Sequence, residues 1–411
     1  MRRRVMLATL GAVGTSGCLR LTDQESGGDS DATDLEAEAG GETATATSTA
    51  ADATSTTDGE GDGSDGAPAV TLSKRWSVDQ QVRYVWADDG QFATSGYEGV
   101  SLASPADGTR WRDAFLNGDG PPDLIASEAF AATDDRLIFG FTGGNNAAPD
   151  AGAAFLAFDR TSGEQLWRVD MPDDGIHARA EGVAVAGDTV VVASDDTGSD
   201  SDQEPLVYGI DLETGERRWE TGAPDLTTGF ISGVVSHDGT VFVTQAYDGT
   251  HLLDPETGAV TGSREEMKVS VWGATPRGAT LFDISGNEAA AYRLDGDGTR
   301  WSVPDIPDVR IPPTVDDDLV IVGTQTGYVY AIEADTGTVR WNSRLDRTVR
   351  GLAASDDHVW AWAVGSTLAG FDRSDGTLVY ESQRASDLVD LSAVGDTLFV
   401  GGDPGTAYRI E

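Results

Sequence analysis

Residues 157–167 read AFDRTSGEQLW, the order of a strand, a tight turn and a second strand. Ala157 to Asp159 alternate as strand residues do, Ser162-Gly163 supplies the turn, and Leu166-Trp167 resumes an apolar strand. The glycine belongs there because a tight hairpin needs positive φ, which only a residue without Cβ adopts at low cost. The phrase recurs. GIDLETGERRW ends at Trp219, AIEADTGTVRW at Trp341 and FDRSDGTLVY at Tyr380. LLDPETGAVTG ends at Gly262 with the aromatic lost, and two tighter versions, ASPADGTRW and RLDGDGTRW, end at Trp111 and Trp301.

The seven turn glycines (108, 163, 215, 258, 298, 337 and 376) are separated by 55, 52, 43, 40, 39 and 39 residues. A repeat near 40 residues built from short strands predicts a propeller, because one four-stranded unit cannot bury both of its faces alone. Unit three shows the order expected within a blade: Gly182–Ala186 innermost, then Thr189–Ser194, Leu206–Leu212 and, outermost, Arg217–Thr221. Its Val190-Val191-Val192 run is continuous, as in a strand covered on both faces. Gly187-Asp188 and Gly239-Thr240 read as hairpin turns between first and second strands. Helical periodicity is missing, so the fold class is all-β.

The two ends of the chain complete each other. Residues 74–78, with Trp76 where Trp167 and Trp219 stand, read as a strand that follows a turn, yet nothing structured precedes them. Asp396–Val400 and Thr406–Ile410 read as strands that precede a turn, and the last strand is absent. Joining the ends closes the ring and removes its exposed edges. The expectation is eight four-stranded blades of about 42 residues over 72–411, with seven as the alternative.

Charge narrows the partners. The net charge is −42, from 70 acidic against 28 basic residues, and Lys74 and Lys268 are the only lysines. Such a surface repels nucleic acid and anionic lipid. Only 13 of the acids lie in residues 19–70, so the folded part is acidic too, and the acid excess with scarce lysine resembles proteins of salt-loving archaea.

Before the propeller come two segments. Residues 1–18 read as an export signal: Arg2-Arg3-Arg4, an apolar run from Val5 to Val13 too short to span a bilayer, then Thr15-Ser16-Gly17-Cys18. The paired arginines resemble a twin-arginine signal, although the usual flanking Phe is missing. The small residues before Cys18 resemble a lipobox, although Thr15 stands where Leu is usual. Cys18 is the sole cysteine, so the chain forms no internal disulfide, and lipidation of Cys18 is the favoured reading. From 19 to 71 the chain is Asp, Glu, Gly, Ser, Thr and Ala with few apolar residues, which predicts a disordered tether spanning on the order of 40 Å. Its Thr43–Thr57 cluster has the composition of O-glycosylated stretches.

The phrase A-x-D-x-x-T-G-x-x-x-W resembles the repeat of the pyrroloquinoline-quinone (PQQ)-like propellers, among them quinoprotein alcohol dehydrogenases and the bacterial lipoprotein that helps assemble outer-membrane barrels. The resemblance spans 72–411. It implies that Trp76, Trp111, Trp167, Trp219, Trp301 and Trp341, with Tyr380 in the same place, dock against the neighbouring blade. The family's enzymes carry adjacent cysteines, a calcium held by Glu, Asn and Asp, and a catalytic Asp; this chain has no cysteine pair, and no motif places those carboxylates. No catalytic, cofactor or metal residue is assigned, and PQQ and calcium stand without motif support.

Other chemistry is equally sparse. His177, His237, His251 and His358 are scattered without His-x-x-x-His spacing, and neither a G-x-S-x-G elbow nor a phosphate loop occurs. Asp195–Glu204 packs five carboxylates into one loop, with smaller clusters at Asn117–Asp123 and Asp295–Asp297 that suit a hard cation without matching a helix–loop–helix spacing. The long spacings of units two and three place insertions near Asn117–Ala126, Gly143–Gly152 and Thr197–Pro205, where a propeller builds a binding surface or tolerates drift. Trp86, Trp272, Trp360 and Trp362 lie outside the turn phrase, and three of them sit near inner strands, as axial-channel or equally as core residues. The expected function is a monomeric, membrane-anchored cell-surface lipoprotein on the extracytoplasmic side, whose propeller binds proteins or surface polymers as a scaffold. The alternative is an extracellular quinoprotein-like oxidoreductase or another enzyme with an axial site.

Overall fold

The computed structural model describes residues 70–411 apart from residue 79 and segments 97–98, 114–123, 144–151, 173–178, 196–205, 223–224, 227–229, 247–248, 271–272 and 385–387. Arg2, Arg3, Arg4, Cys18 and the acidic stretch as far as residue 69 lie outside the described residues, whereas Val70 and Thr71, expected in the tether, belong to the propeller: Val70 is buried and Thr71 bonds to Glu411. The described residues form 32 strands and no helix. They make eight four-stranded sheets, an eight-bladed propeller. In chain order the blades are 1 (Tyr84–Asp113), 2 (Ile125–Asp170), 3 (Arg179–Thr221), 4 (Ile231–Arg264), 5 (Thr275–Val303), 6 (Thr314–Arg344) and 7 (Val349–Gln383). Within each, the four antiparallel strands run outward from the axis in sequence order.

Blade 8 is built from both ends of the chain. Leu391–Val394, Thr397–Val400 and Thr406–Ile410 are its first three strands, and Leu72–Ser77 is its fourth. Leu72 pairs with Ile410 and Trp76 with Ala407, with a bulge between Lys74 and Trp76. Thr71 and Glu411 exchange both main-chain hydrogen bonds, at 2.8 and 2.9 Å, so the pairing between the third and fourth strands runs on to Glu411.

The core lies between blades rather than at one centre. Alternate residues of each middle strand face opposite neighbours, so both faces must be apolar. In blade 3, Val190 and Val192 pack among residues of blade 2, while Val191 packs among residues of blade 4. Trp86 is core: it is 1% exposed and stacks on Phe130 of blade 2 at 4.6 Å. Trp360 is fully buried, Trp362 is half-buried on the same strand, and Trp272 lies outside the described residues.

Two local expectations need correction. The first hairpin of blade 4 turns at Asp238-Gly239, one residue before Gly239-Thr240. Both turn residues take positive φ (45° and 75°), which a β-branched Thr240 resists, so Thr240 opens the next strand. The innermost strand of blade 3 begins at Arg179, because a bulge between Ala180 and Gly182 accommodates Glu181 and extends the pairing.

Candidate functional site: blade junctions and an arginine-lined groove

The repeat's tryptophans each reach the next blade. Trp76 Nε1 donates to the Pro105 carbonyl, Trp111 to Arg160, Trp167 to Leu212, Trp219 to Pro255, Trp301 to Ala334 and Trp341 to Arg373, all at 2.8–3.0 Å. The accepting carbonyl follows the Asp, or its counterpart, that opens each turn phrase. Each indole also covers the turn glycine of that next blade. Gly215 takes φ +73°, and a Cβ there would lie 2.5 Å from Trp167. The turn glycine therefore has two tasks: left-handed backbone and room for an indole.

The Asp of the phrase organises the same turn. Asp211 Oδ1 accepts the main-chain N–H of Glu213 and Thr214 and the Thr214 hydroxyl, and Asp159 and Asp254 repeat the arrangement. The Thr214 N–H, then Arg218, holds Asp211 down at about 2. The following residue is a second staple where it is arginine. Arg160 of blade 2 pairs with Asp88 of blade 1, and Arg373 of blade 7 pairs with Asp316 and, at 2.8 Å, Asp318 of blade 6. Their carbonyls meanwhile accept the indole N–H of that same preceding blade.

Two junctions depart from the rule. Blade 4 carries Gly262 in place of the tryptophan, and nothing lies within 4 Å of a Cβ built on Gly298 of blade 5. Arg264 takes over: its guanidinium donates to the Arg293 carbonyl at 2.5 Å and the Leu294 carbonyl at 3.4 Å, while lying 5.1 Å from the centre of the Phe242 ring. Leu294 is the position equivalent to Leu212 and Ala334 in the other blades. The junction also buries Asp283, which is 1% exposed; its Oδ1 accepts the Ser270 N–H at 3.1 Å, while Oδ2 and the Ser270 hydroxyl have no hydrogen-bond partner among the described residues. Burial pushes the Asp283 carboxyl up to about 7 and, with that nearby charge, the Tyr292 phenol up to about 12. At the 7–8 junction Tyr380 packs edge-on to Trp360 at 5.7 Å and accepts a hydrogen bond from Arg384, which lies over the Tyr408 ring of blade 8.

An open groove of about 360 Å³ lies between blades 6 and 7. Its walls are the second-to-third strand connection of blade 6 (324–327), the link between the blades (345–348) and Val364 of blade 7. They are fastened by main-chain bonds: Leu345 N–H to Gly327, Val349 N–H to Thr324 and Val364 N–H to Thr348. Gly327 permits the approach, since a Cβ there would sit 1.9 Å from the Leu345 carbonyl oxygen. Arg344 and Arg347 line the groove with a single carboxylate, Asp346. Sequence reasoning missed this site; its signal is the Arg344, Arg347, Arg350 spacing in a chain with few bases.

The other acidic candidates separate. Asp295 pairs with Arg293 and Arg300, and Asp297 lies 3.7 Å from Arg264. Segments 117–123 and 196–204, the inserted loops at 143–152 (in greater part) and 197–205, and His177 lie outside the described residues. Among the described residues no group of three or more His, Cys, Asp or Glu is arranged to hold a metal.

Eight blades, repeated Asp-to-glycine turns and indoles docked on the next blade define a propeller of PQQ-like repeats. The family model described as outer membrane protein assembly factor BamB matches residues 151–224, 203–263 and 285–410, more than half of the chain. The chain belongs to that family. No curated protein sequence matches it. BamB from Moraxella catarrhalis is similar in structure, with a TM-score of 0.60 at 17% identity over 83% of this chain and 98% of that one. The quinohemoprotein alcohol dehydrogenase of Comamonas testosteroni is similar with a TM-score of 0.58 at 12% identity, over 84% and 76% of the two chains. At these identities the structural likenesses describe the fold.

Proposed function

We propose that the protein is a non-catalytic, lipid-anchored scaffold on the extracytoplasmic face of a membrane, whose propeller binds other proteins. The observation that carries this reading is membership of a family described by its role as an assembly factor, matched over residues 151–263 and 285–410. The anchor is Cys18, preceded by the arginines of an export signal, and the acidic stretch that follows tethers the propeller away from the surface. The ring supplies what a scaffold needs: eight packed blades joined into one closed circle, with loops on two faces.

Two measurements test the reading. Calorimetric titration of the protein with PQQ and calcium should give no heat; tight, calcium-dependent uptake would establish the quinoprotein alternative instead. Expression in the native host should place the protein in the membrane fraction, and Cys18→Ser should release it. Recovery of both forms in the soluble fraction would sink the lipid anchor.

A further inference from the structure

We propose that the groove between blades 6 and 7 is the docking site for a carboxylate-rich, partly apolar peptide segment of the partner protein, an inference that rests on the scaffold reading. Arginines elsewhere in the ring are mostly neutralised from within. Arg75, Arg136, Arg160, Arg218, Arg340 and Arg373 each lie within 2.9 Å of a carboxylate oxygen. With 70 acids to 28 bases, such partners are easily supplied.

Arg344, Arg347 and Arg350 fall within seven residues, and among the described residues none has a carboxylate partner. Arg344 lies 5.3 Å from the centre of the Tyr328 ring, and Arg347 reaches only the Val364 carbonyl, at 3.5 Å. Arg310 adjoins them: the Asp308 carbonyl accepts the N–H of Gln325, a groove residue, and the Asp308 carboxylate lies 3.5 Å from Arg310. Burial, and then the charge of Arg310, lowers the Arg350 pKa, which places the Arg310 and Arg350 guanidiniums close enough to repel each other. Against Arg310, Arg344, Arg347 and Arg350 stand Asp308 and Asp346, leaving a positive sector on a chain of net charge −42. The rest of the surface repels an acidic segment and this sector attracts it, which selects the place of docking as well as the partner.

The groove's other surfaces favour a peptide over an acidic polysaccharide. Val364 is a large apolar side chain left 45% exposed at the rim, and Tyr328 presents a ring beneath Arg344. Those surfaces suit alternating acidic and aliphatic side chains. Gln325 and Thr326 add polar groups at the wall, and the walls are already hydrogen-bonded to each other, so little ordering is needed on binding.

The test uses the full chain and a fluorescein-labelled peptide of alternating Glu and Leu, followed by fluorescence polarisation at two salt concentrations. Binding should weaken with salt, vanish for the Gln–Leu peptide, and fall about tenfold or more in Arg344→Glu/Arg347→Glu. Arg110→Glu, on the exposed outer strand of blade 1, should bind as the wild type does, and unchanged melting of both variants would show that the fold is intact. Equal affinity in the double variant, or displacement of the peptide by an oligogalacturonate at lower concentration, overturns the proposal. Cross-linking in the native envelope separates the two readings: a partner captured equally by wild type and double variant removes this site but keeps the scaffold, whereas no partner for either removes both.

Discussion

Gly215 and Gly298 occupy the same place in their turns but face different surroundings. Both take positive φ, +73° and +87°, but only Gly215 lies against an indole. Gly298→Ala should cost about 1 kcal/mol, the conformational part alone, whereas Gly215→Ala adds displacement of Trp167 and should cost at least about 3 kcal/mol. Urea denaturation of the two variants checks the difference, and equal losses would remove the indole from the account. Asp283 gives a prediction in pH. Its carboxyl loses its proton near 3.8 in the unfolded chain and near 7 in the folded one. The folded pKa is raised, so its contribution is fully present below pH 3.8 and is lost as pH rises through 7. Asp283→Asn keeps an acceptor toward the Ser270 N–H and removes the titration. Its stability relative to wild type should therefore grow across that window, by up to on the order of 4 kcal/mol, and level off above it. A pH-independent difference between the two proteins, measured by denaturant melts from pH 4 to 8, would show that Asp283 does not titrate in this way.

At the scale of the element, the blade junction is the unit of stability, and the 4–5 junction is made differently from those that carry an indole. Arg264 supplies the N–H groups that an indole supplies elsewhere, but it brings a charge and covers no glycine. Arg264→Ala should lower the melting temperature more than Arg217→Ala, whose partner Glu220 lies on its own exposed strand, because the former frees two carbonyls of the next blade. Thermal melts compare them; equal shifts would mean that the junction rests on apolar packing alone. The junctions also show what the chain reveals before folding. The turn phrase and its spacing were legible because glycine, Asp and Trp each answer a local geometric demand that repeats. Arg264 was not, since an arginine two residues beyond a missing aromatic has no motif. Its role exists only where Leu294 of the next blade arrives. Arg344, Arg347 and Arg350 were hidden for a similar reason: an unpaired arginine is recognised by the carboxylates that are not near it, and only the fold shows those distances.

At the scale of the whole molecule, closure by the two ends makes the ring's cooperativity depend on a strand more than 300 residues away in sequence from its partner. Leu72–Ser77 is joined to blade 8 by a ladder, by Arg75 to Asp396 at 2.6 Å, and by Trp76, which covers Gly108 of blade 1 and packs on Phe399 at 5.5 Å. These contacts act on both sides of the closing blade, so losing the strand opens an edge at Thr406–Ile410 and uncovers the entry to blade 1 together. Removing residues 70–77 should cost at least the burial of Trp76, about 3–5 kcal/mol, and should turn the free edge into a site of chain association. Trp76→Ala alone should incur the packing loss while leaving the ladder, and should stay monomeric. Denaturant melts read the first effect and light scattering at rising concentration the second. If the truncated chain stays monomeric and melts as Trp76→Ala does, the ladder contributes only its hydrogen bonds and the ring is held by its blade faces. If it associates while Trp76→Ala does not, the strand's main task is to cover an edge that this sequence leaves until its last residue.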